Sequence, residues 1–168
     1  MRKAMWAAAA MTGLALAAGQ PATAQTTMAT LLDRIQIEEM VTTYYSQLGR
    51  AKTKDFADAY TEDAELVLGS RTAKGKAAIE AIYASMGNST PGKPRPPMNV
   101  LLTNPRITVT GDTAHGEFIY TGIVIEAADK APVLHEQGRE IDEFVKLNGV
   151  WKIRKRTIIN DANAGGAG

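Results

Sequence analysis

Residues 98–159 read MNVLLTNPRITVTGDTAHGEFIYTGIVIEAADKAPVLHEQGREIDEFVKLNGVWKIRKRTII, and this stretch decides the fold. It falls into four runs rich in Val, Ile, Thr and Phe: Met98–Val109, Ala114–Glu126, Val133–Leu147 and Val150–Ile159. Such side chains suit a pleated, half-buried surface. The runs are divided by Gly111-Asp112, by the segment 127–132 ending in Pro132, and by Asn148-Gly149. An Asn-Gly pair supplies the two positive-φ residues of a tight hairpin. Successive short turns make neighbouring strands antiparallel, because a parallel return needs a dozen residues or more. The stretch therefore predicts an antiparallel meander of four long strands.

Moving toward the N-terminus, the apolar period changes from two to that of a helix. Thr30-Leu31-Leu32-Asp33 places a hydroxyl and a carboxylate one turn apart, a capping pattern. Ile37, Val41, Tyr44 and Leu48 follow at spacings that put them on one face, and Gly49 suits the left-handed helix end. Thr53 can cap a second short helix carrying Phe56, Ala59 and Tyr60, and residues 64–68 read as a short strand ended by Gly69. A third helix runs from Lys76 to Met86 with Ile79, Ile82, Tyr83 and Met86 as its stripe and Gly87 at its end. Residues 88–97 carry Pro91, Pro94, Pro96 and Pro97 and read as a loop with Lys93 and Arg95 on it. The order predicts an α+β domain with three N-terminal helices packed on a curved antiparallel sheet. Incomplete cover of that sheet would leave a pocket, the default ligand site.

The flanks are of another kind. Arg2 and Lys3 precede an uncharged, mostly apolar run to Gly19, and Ala22-Thr23-Ala24 offers small residues for cleavage before Gln25. Residues 1–24 are expected to be a secretory signal, residues 25–161 the domain, and residues 162–168 a small, flexible tail. The apolar run is short for a spanning helix, and the chain has no cysteine for lipid attachment or disulfides. The expected product is a soluble secreted or periplasmic protein without a stable membrane anchor. Without Arg2 and Lys3, 17 of the 19 Lys and Arg remain against 18 Asp and Glu. That balance gives no basic stripe for nucleic acid.

The chain resembles the SnoaL-like proteins of the nuclear transport factor 2-like superfamily, which includes polyketide cyclases, ketosteroid isomerase and scytalone dehydratase. The resemblance spans residues 31–161. It is carried by Ile37–Tyr44 with Tyr60–Ala64, by Lys74–Ile79, by Asn104–Ala114, and by Gly138–Asp142 followed by Asn148–Ile153 and Arg156. It implies a cone-shaped α+β barrel round a deep, mostly apolar cavity, usually without a cofactor, and commonly a homodimer. It further implies either a lyase or isomerase working by acid/base chemistry, or a binding module. Two positions depart from the family pattern. Leu48-Gly49-Arg50 lacks the acidic residue at the end of the first helix, and Met98-Asn99-Val100 lacks the histidine at the start of the first long strand.

The remaining chemistry rests on a few side chains. His135, the better placed, and His115 are the candidate bases, histidine being the natural proton carrier near neutrality; for each, a surface or strand-end histidine without chemistry is the more common outcome. Gln137 and Arg139 share the strand face of His135. Tyr44 is the candidate proton donor, and Tyr83 and Tyr120 are candidate contacts for substrate. For each the alternative is core packing with the hydroxyl tucked against one partner; for Tyr60 core packing is the preferred reading. Arg139 or Arg156, turned inward, would hold a carboxylate or phenolate; otherwise they pair with neighbouring strand charges such as Asp142. Asn99 can orient a substrate without taking a proton. No metal-binding spacing and no phosphate loop occurs, so the expected ligand is a small hydrophobic or aromatic molecule, with no cofactor and no metal. Two functions follow: a cofactor-free lyase or isomerase, or a non-catalytic periplasmic module for a hydrophobic ligand or a protein partner.

Overall fold

A computed structural model describes residues 26–46, 56–87, 98–127 and 129–164. The segment expected to be a signal, Gly49, Thr53, the proline-rich segment 88–97 and most of the expected tail lie outside these residues. The element order is α1 (Met28–Ser46), β1 (Tyr60–Leu68), β2 (Arg71–Lys74), α2 (Lys76–Gly87), β3 (Met98–Thr110), β4 (Thr113–Val124), β5 (Val133–Leu147), β6 (Val150–Asn160) and a single turn, α3 (Asp161–Ala164).

The four-strand meander is present with nearly the expected limits, and two more strands extend it. One curved sheet has the order β2-β1-β6-β5-β4-β3. The sheet is mixed rather than purely antiparallel, because β1 runs parallel to β6. Nothing local announces that pairing: β1 and β6 are joined through the whole rest of the sheet. The hairpin turns behave as their residues demand, with Gly111 at φ 57° and Asn148 and Gly149 at φ 51° and 81°.

The helical part differs more. Two full helices, α1 and α2, precede the meander among the described residues, and Phe56 and Ala57 between them are helical as well, on the second helix the sequence predicts, the rest of which lies outside these residues. Tyr60 is not helical but opens β1, facing Ile153 across the parallel pair. The helix start also moves. Thr27 caps α1, accepting from the Thr30 backbone amide at 3.3 Å, while Thr30 Oγ1 accepts from the Thr27 amide at 2.9 Å. Thr30 is thus the reciprocal partner inside the helix rather than the cap. Asp33 instead ties α1 to the β5–β6 hairpin, accepting from Lys146 Nζ at 2.6 Å and Trp151 Nε1 at 3.0 Å. Lys146 pulls its carboxyl below the usual range, with help from Trp151.

Helix α1 lies across β3 and β6, and α2 packs on β1 and β2. Between them and the sheet sits the core: Ile37, Val41, Leu66, Ile79, Phe118, Phe144 and Ile153, with the aromatic rings of α1 and α2. Burial alternates along β4 and β5, as a half-covered sheet requires. Ala114, Gly116, Phe118 and Tyr120 face the helices, as do Gly138, Glu140, Asp142 and Phe144. Two of these glycines are needed sterically. A Cβ on Gly138 would stand 2.1 Å from the Ile159 carbonyl and 2.7 Å from the Tyr120 ring, and one on Gly116 would stand 2.8 Å from Phe144. The register breaks at Thr103/Arg106, Gly122/Ile123 and Glu143/Phe144 are bulges that bend such a sheet.

Candidate functional site

The inner face of the sheet carries charge where a core is expected to be apolar. Successive inward positions on β5 are Glu140 and Asp142, and β6 places Arg156 directly opposite Asp142. All three side chains are fully buried, at 0% exposure. Arg156 donates to Asp142 through Nε at 2.9 Å and Nη2 at 2.7 Å, a two-pronged ion pair. Glu140 Oε1 lies 3.0 Å from the same Nη2, but the geometry is not that of a hydrogen bond, and Oε1 and Arg156 Nη1 have no hydrogen-bond partner.

Tyrosines close the cluster from the helix side. The face of α1 delivers Tyr44 and Tyr45, α2 delivers Tyr83, and β1 delivers Tyr60; all are buried. Tyr45 donates to Glu140 Oε2. Tyr44 donates to Tyr83, and the hydroxyls of Tyr60 and Tyr83 are 3.0 Å apart. The Arg156 guanidinium lies over the rings of Tyr44, Tyr45 and Tyr60, with centroids at 4.5, 5.5 and 5.9 Å. Phe56 completes the aromatic wall, stacked on Tyr83 at 5.4 Å.

The electrostatics follow from counting charges. One guanidinium faces two buried carboxyls, and Asp142 holds two of its nitrogens. Burial, reinforced by Asp142, pushes the Glu140 carboxyl up to about 8 against the pull of Arg156 and Tyr45. Burial likewise raises the phenols of Tyr44, Tyr45, Tyr60 and Tyr83, so they are proton donors at neutral pH. Glu140 is the one member of the cluster whose protonation changes near neutrality. A carboxyl poised there can give or take a proton.

The sequence-derived candidates divide in two. Tyr44, Tyr83 and Arg156 meet in this cluster. Tyr120 faces the same interior and lies against Gly138; burial, with Glu136 next, pushes its phenol up to about 12. His115, His135, Arg139 and Asn99 are elsewhere. His115 is half exposed beside Glu117, at 3.4 Å. His135 is exposed at the β5 bulge. The register sets His115 opposite Glu143, so the two histidines lie roughly 26 Å apart along the strands. Arg139 is exposed, in register with Ile119 and Ile159, on the face opposite Glu140. Asn99 pairs with Ile123, so by alternation it shares that outer face. Arg156, not Arg139, is therefore the inward arginine.

Tyr45 and Glu140 belong to the cluster without being among the sequence-derived candidates. The strand gave a clue: Glu140 and Asp142 occupy the same parity as Phe144, which marks them as inward. Among the described residues no group of three His, Asp or Glu is arranged to hold a metal, and no helix is long and apolar enough to cross a membrane. A groove of about 440 Å³ runs between α1 and the β5–β6 hairpin, lined by Met40, Thr43, Val150 and Trp151 among others. Tyr44 belongs both to its wall and to the cluster.

A bent mixed sheet with helices on its concave side, and ionisable groups inside, defines an α+β fold of the nuclear transport factor 2-like kind. The chain belongs to the SnoaL-like domain family, whose sequence model matches residues 29–157. Solved structures agree on the fold. Aln2 from a Streptomyces species superposes with a TM-score of 0.71 at 19% identity, over 80% of this chain and 94% of that one. A nuclear transport factor 2-like protein with a cystatin-like fold from Novosphingobium aromaticivorans gives 0.66 at 23% identity, over 83% and 87%. ActVI-ORFA from Streptomyces coelicolor gives 0.67 at 17% identity, over 76% and 96%. No curated protein sequence matches.

Proposed function

We propose that this protein is a cofactor-independent lyase or isomerase that moves a proton on a small hydrophobic or aromatic molecule, with Glu140 as the acid/base. The observation that carries the reading is the buried Glu140 carboxyl. One of its oxygens has no hydrogen-bond partner, and its ionisation is lifted toward neutrality. Arg156 stabilises negative charge developing on a substrate oxygen. The four tyrosines and Phe56 provide the apolar walls and phenolic donors. In this reading Glu140 takes the role that the sequence assigns to His135 and His115. The groove that shares Tyr44 is the entrance. The basic start, apolar run and Ala22-Thr23-Ala24 support export to the periplasm, where the substrate would be a compound arriving from outside. Exposed Leu101 and Leu134, at 52% and 62% on the outer sheet face, support a homodimer through that face.

The test is turnover of a panel of β-hydroxy aromatic ketones, followed by the absorbance of the conjugated product. Glu140→Gln should lower kcat at least a hundredfold while keeping the melting temperature within a few degrees. Unchanged turnover in that variant rules the mechanism out.

The second reading, a non-catalytic binding module, is favoured by the complete burial of the charged cluster and by the exposure of both histidines. It predicts tight retention of a hydrophobic ligand, seen by native mass spectrometry, with no conversion of it.

A further inference from the structure

Asn148 and Gly149 form the whole connection between β5 and β6. The ladder closes at Leu147 opposite Val150, so the two residues between them take no part in it. Both are exposed, and both hold positive φ, 51° and 81°. This is also the one place in the chain where an asparagine precedes a glycine. The side-chain amide of an asparagine is open to attack by the main-chain nitrogen of the next residue, and glycine, without a Cβ, hinders that attack least. Other asparagines are worse placed. Asn99 precedes β-branched Val100, and Asn104 precedes Pro105, which has no N–H to lose. Asn160 has its side chain held, donating to Glu136 and accepting from the Ala162 amide.

The folded hairpin restrains the reaction. A left-handed residue has ψ of about +47°, which turns its Cβ away from the following nitrogen across the Cα–C bond. Attack on Asn148 therefore needs the turn to open. The rung next to the turn is Lys146 opposite Trp151. Both side chains donate to Asp33 of α1, at 2.6 and 3.0 Å, so the tip of the hairpin is tied to a helix. Local opening becomes easier where such ties are lost.

We propose that Asn148 is a self-modifying site, converted to aspartate and isoaspartate by attack of the Gly149 nitrogen when the hairpin tip opens, at a pace set by the Asp33 tie. The step balances. A bond forms between Gly149 N and Asn148 Cγ as the Cγ–Nδ2 bond breaks, and Nδ2 leaves as ammonia with the proton from Gly149. Water then opens the cyclic imide at either carbonyl. The sum is one water consumed and one ammonia released. Either product adds a negative charge beside the groove whose wall includes Gly149, Val150 and Trp151. Isoaspartate also lengthens the main chain by one carbon within a two-residue turn, which then no longer matches its closing pair. The wall of the groove thus changes with the age of the molecule, without an enzyme. None of this depends on the proton chemistry at Glu140.

The experiment incubates the full chain for some weeks in warm, mildly alkaline buffer and follows the peptide containing residue 148 by mass spectrometry. Aspartate and isoaspartate forms are separated by chromatography. Wild type should gain about one dalton at residue 148, with both products present. A free peptide of residues 144–153 should convert at least about tenfold faster, because it lacks the folded turn. Asp33→Asn, and Lys146→Met as a second break of the same tie, should each convert at least about threefold faster than wild type while still folded by circular dichroism. Gly149→Ala should slow conversion at least about tenfold. No conversion at residue 148 in wild type, or an equal rate in Gly149→Ala, overturns the site. A wild-type rate equal to that of the free peptide, or equal rates in wild type and both tie variants, overturns the control by the hairpin; the peptide comparison decides even if neither variant folds.

Discussion

Asp142 on β5 and Arg156 on β6 stand directly opposite each other and meet through two parallel hydrogen bonds of 2.9 and 2.7 Å, fully buried. Their attraction offsets a large desolvation cost, and the loss of either member leaves the other charged in the core. Asp142→Asn is expected to destabilise by about 3–5 kcal/mol, measured by urea denaturation. The apolar pair Asp142→Leu with Arg156→Met should recover most of that loss. A double variant no better than the single one would show that the pair is not an isolated unit.

Glu140 governs the pH dependence. Its carboxyl is raised in the folded protein to about 8, so the folded state holds a proton that the unfolded chain releases near 4.3. A raised folded value means that this contribution is fully present below the unfolded value and is lost as pH rises through the folded one. Stability should therefore decline between about pH 4 and 8 with a slope approaching 1.4 kcal/mol per unit from this group. In Glu140→Gln that slope should vanish, as read from urea midpoints across the range. An unchanged slope in the variant would refute the assignment.

Asp33 acts in the opposite direction at lower pH. Lys146 and Trp151 depress its carboxyl, so the tie between α1 and the β5–β6 hairpin is intact above the unfolded value near 3.9 and is lost as pH falls through the folded value. Asp33→Asn should lower stability at neutrality, and the difference from wild type should shrink as pH falls below about 4. Equal stabilities of the two proteins at neutral pH would count against the tie.

Gly138 tests the packing of β5. With Ile159 O only 2.1 Å from an added Cβ, and Tyr120 also in the way, Gly138→Ala must move backbone. It should cost about 1–3 kcal/mol or more. Gly149→Ala, which has nothing within reach but sits at φ 81°, should cost about 1 kcal/mol. Comparing their melting temperatures separates steric from conformational cost.

The histidines give the converse prediction. His115 and His135 are exposed, so His115→Ala with His135→Ala should change stability by less than about 0.5 kcal/mol. Turnover or ligand binding should also be unaltered. A loss of turnover in the folded double variant would return the base to one of them.

The sequence by itself determined the long strands β3 to β6 and their turns. Alternation and Asn-Gly chemistry are local, and the Asn148-Gly149 hairpin needs no partner to be read. It also determined the two helices through their apolar stripes. Tyr44, Tyr83 and Arg156 were legible as candidates from residue type and face. The tertiary structure alone decided the parallel pairing of β1 with β6, because residues about ninety apart in the chain form it. It alone also decided which ionisable groups share a volume. Glu140 gains its proton affinity from burial and from Asp142, and Tyr45 meets it from a helix 95 residues away. Those are properties of distance and dielectric between elements, and no local pattern encodes them.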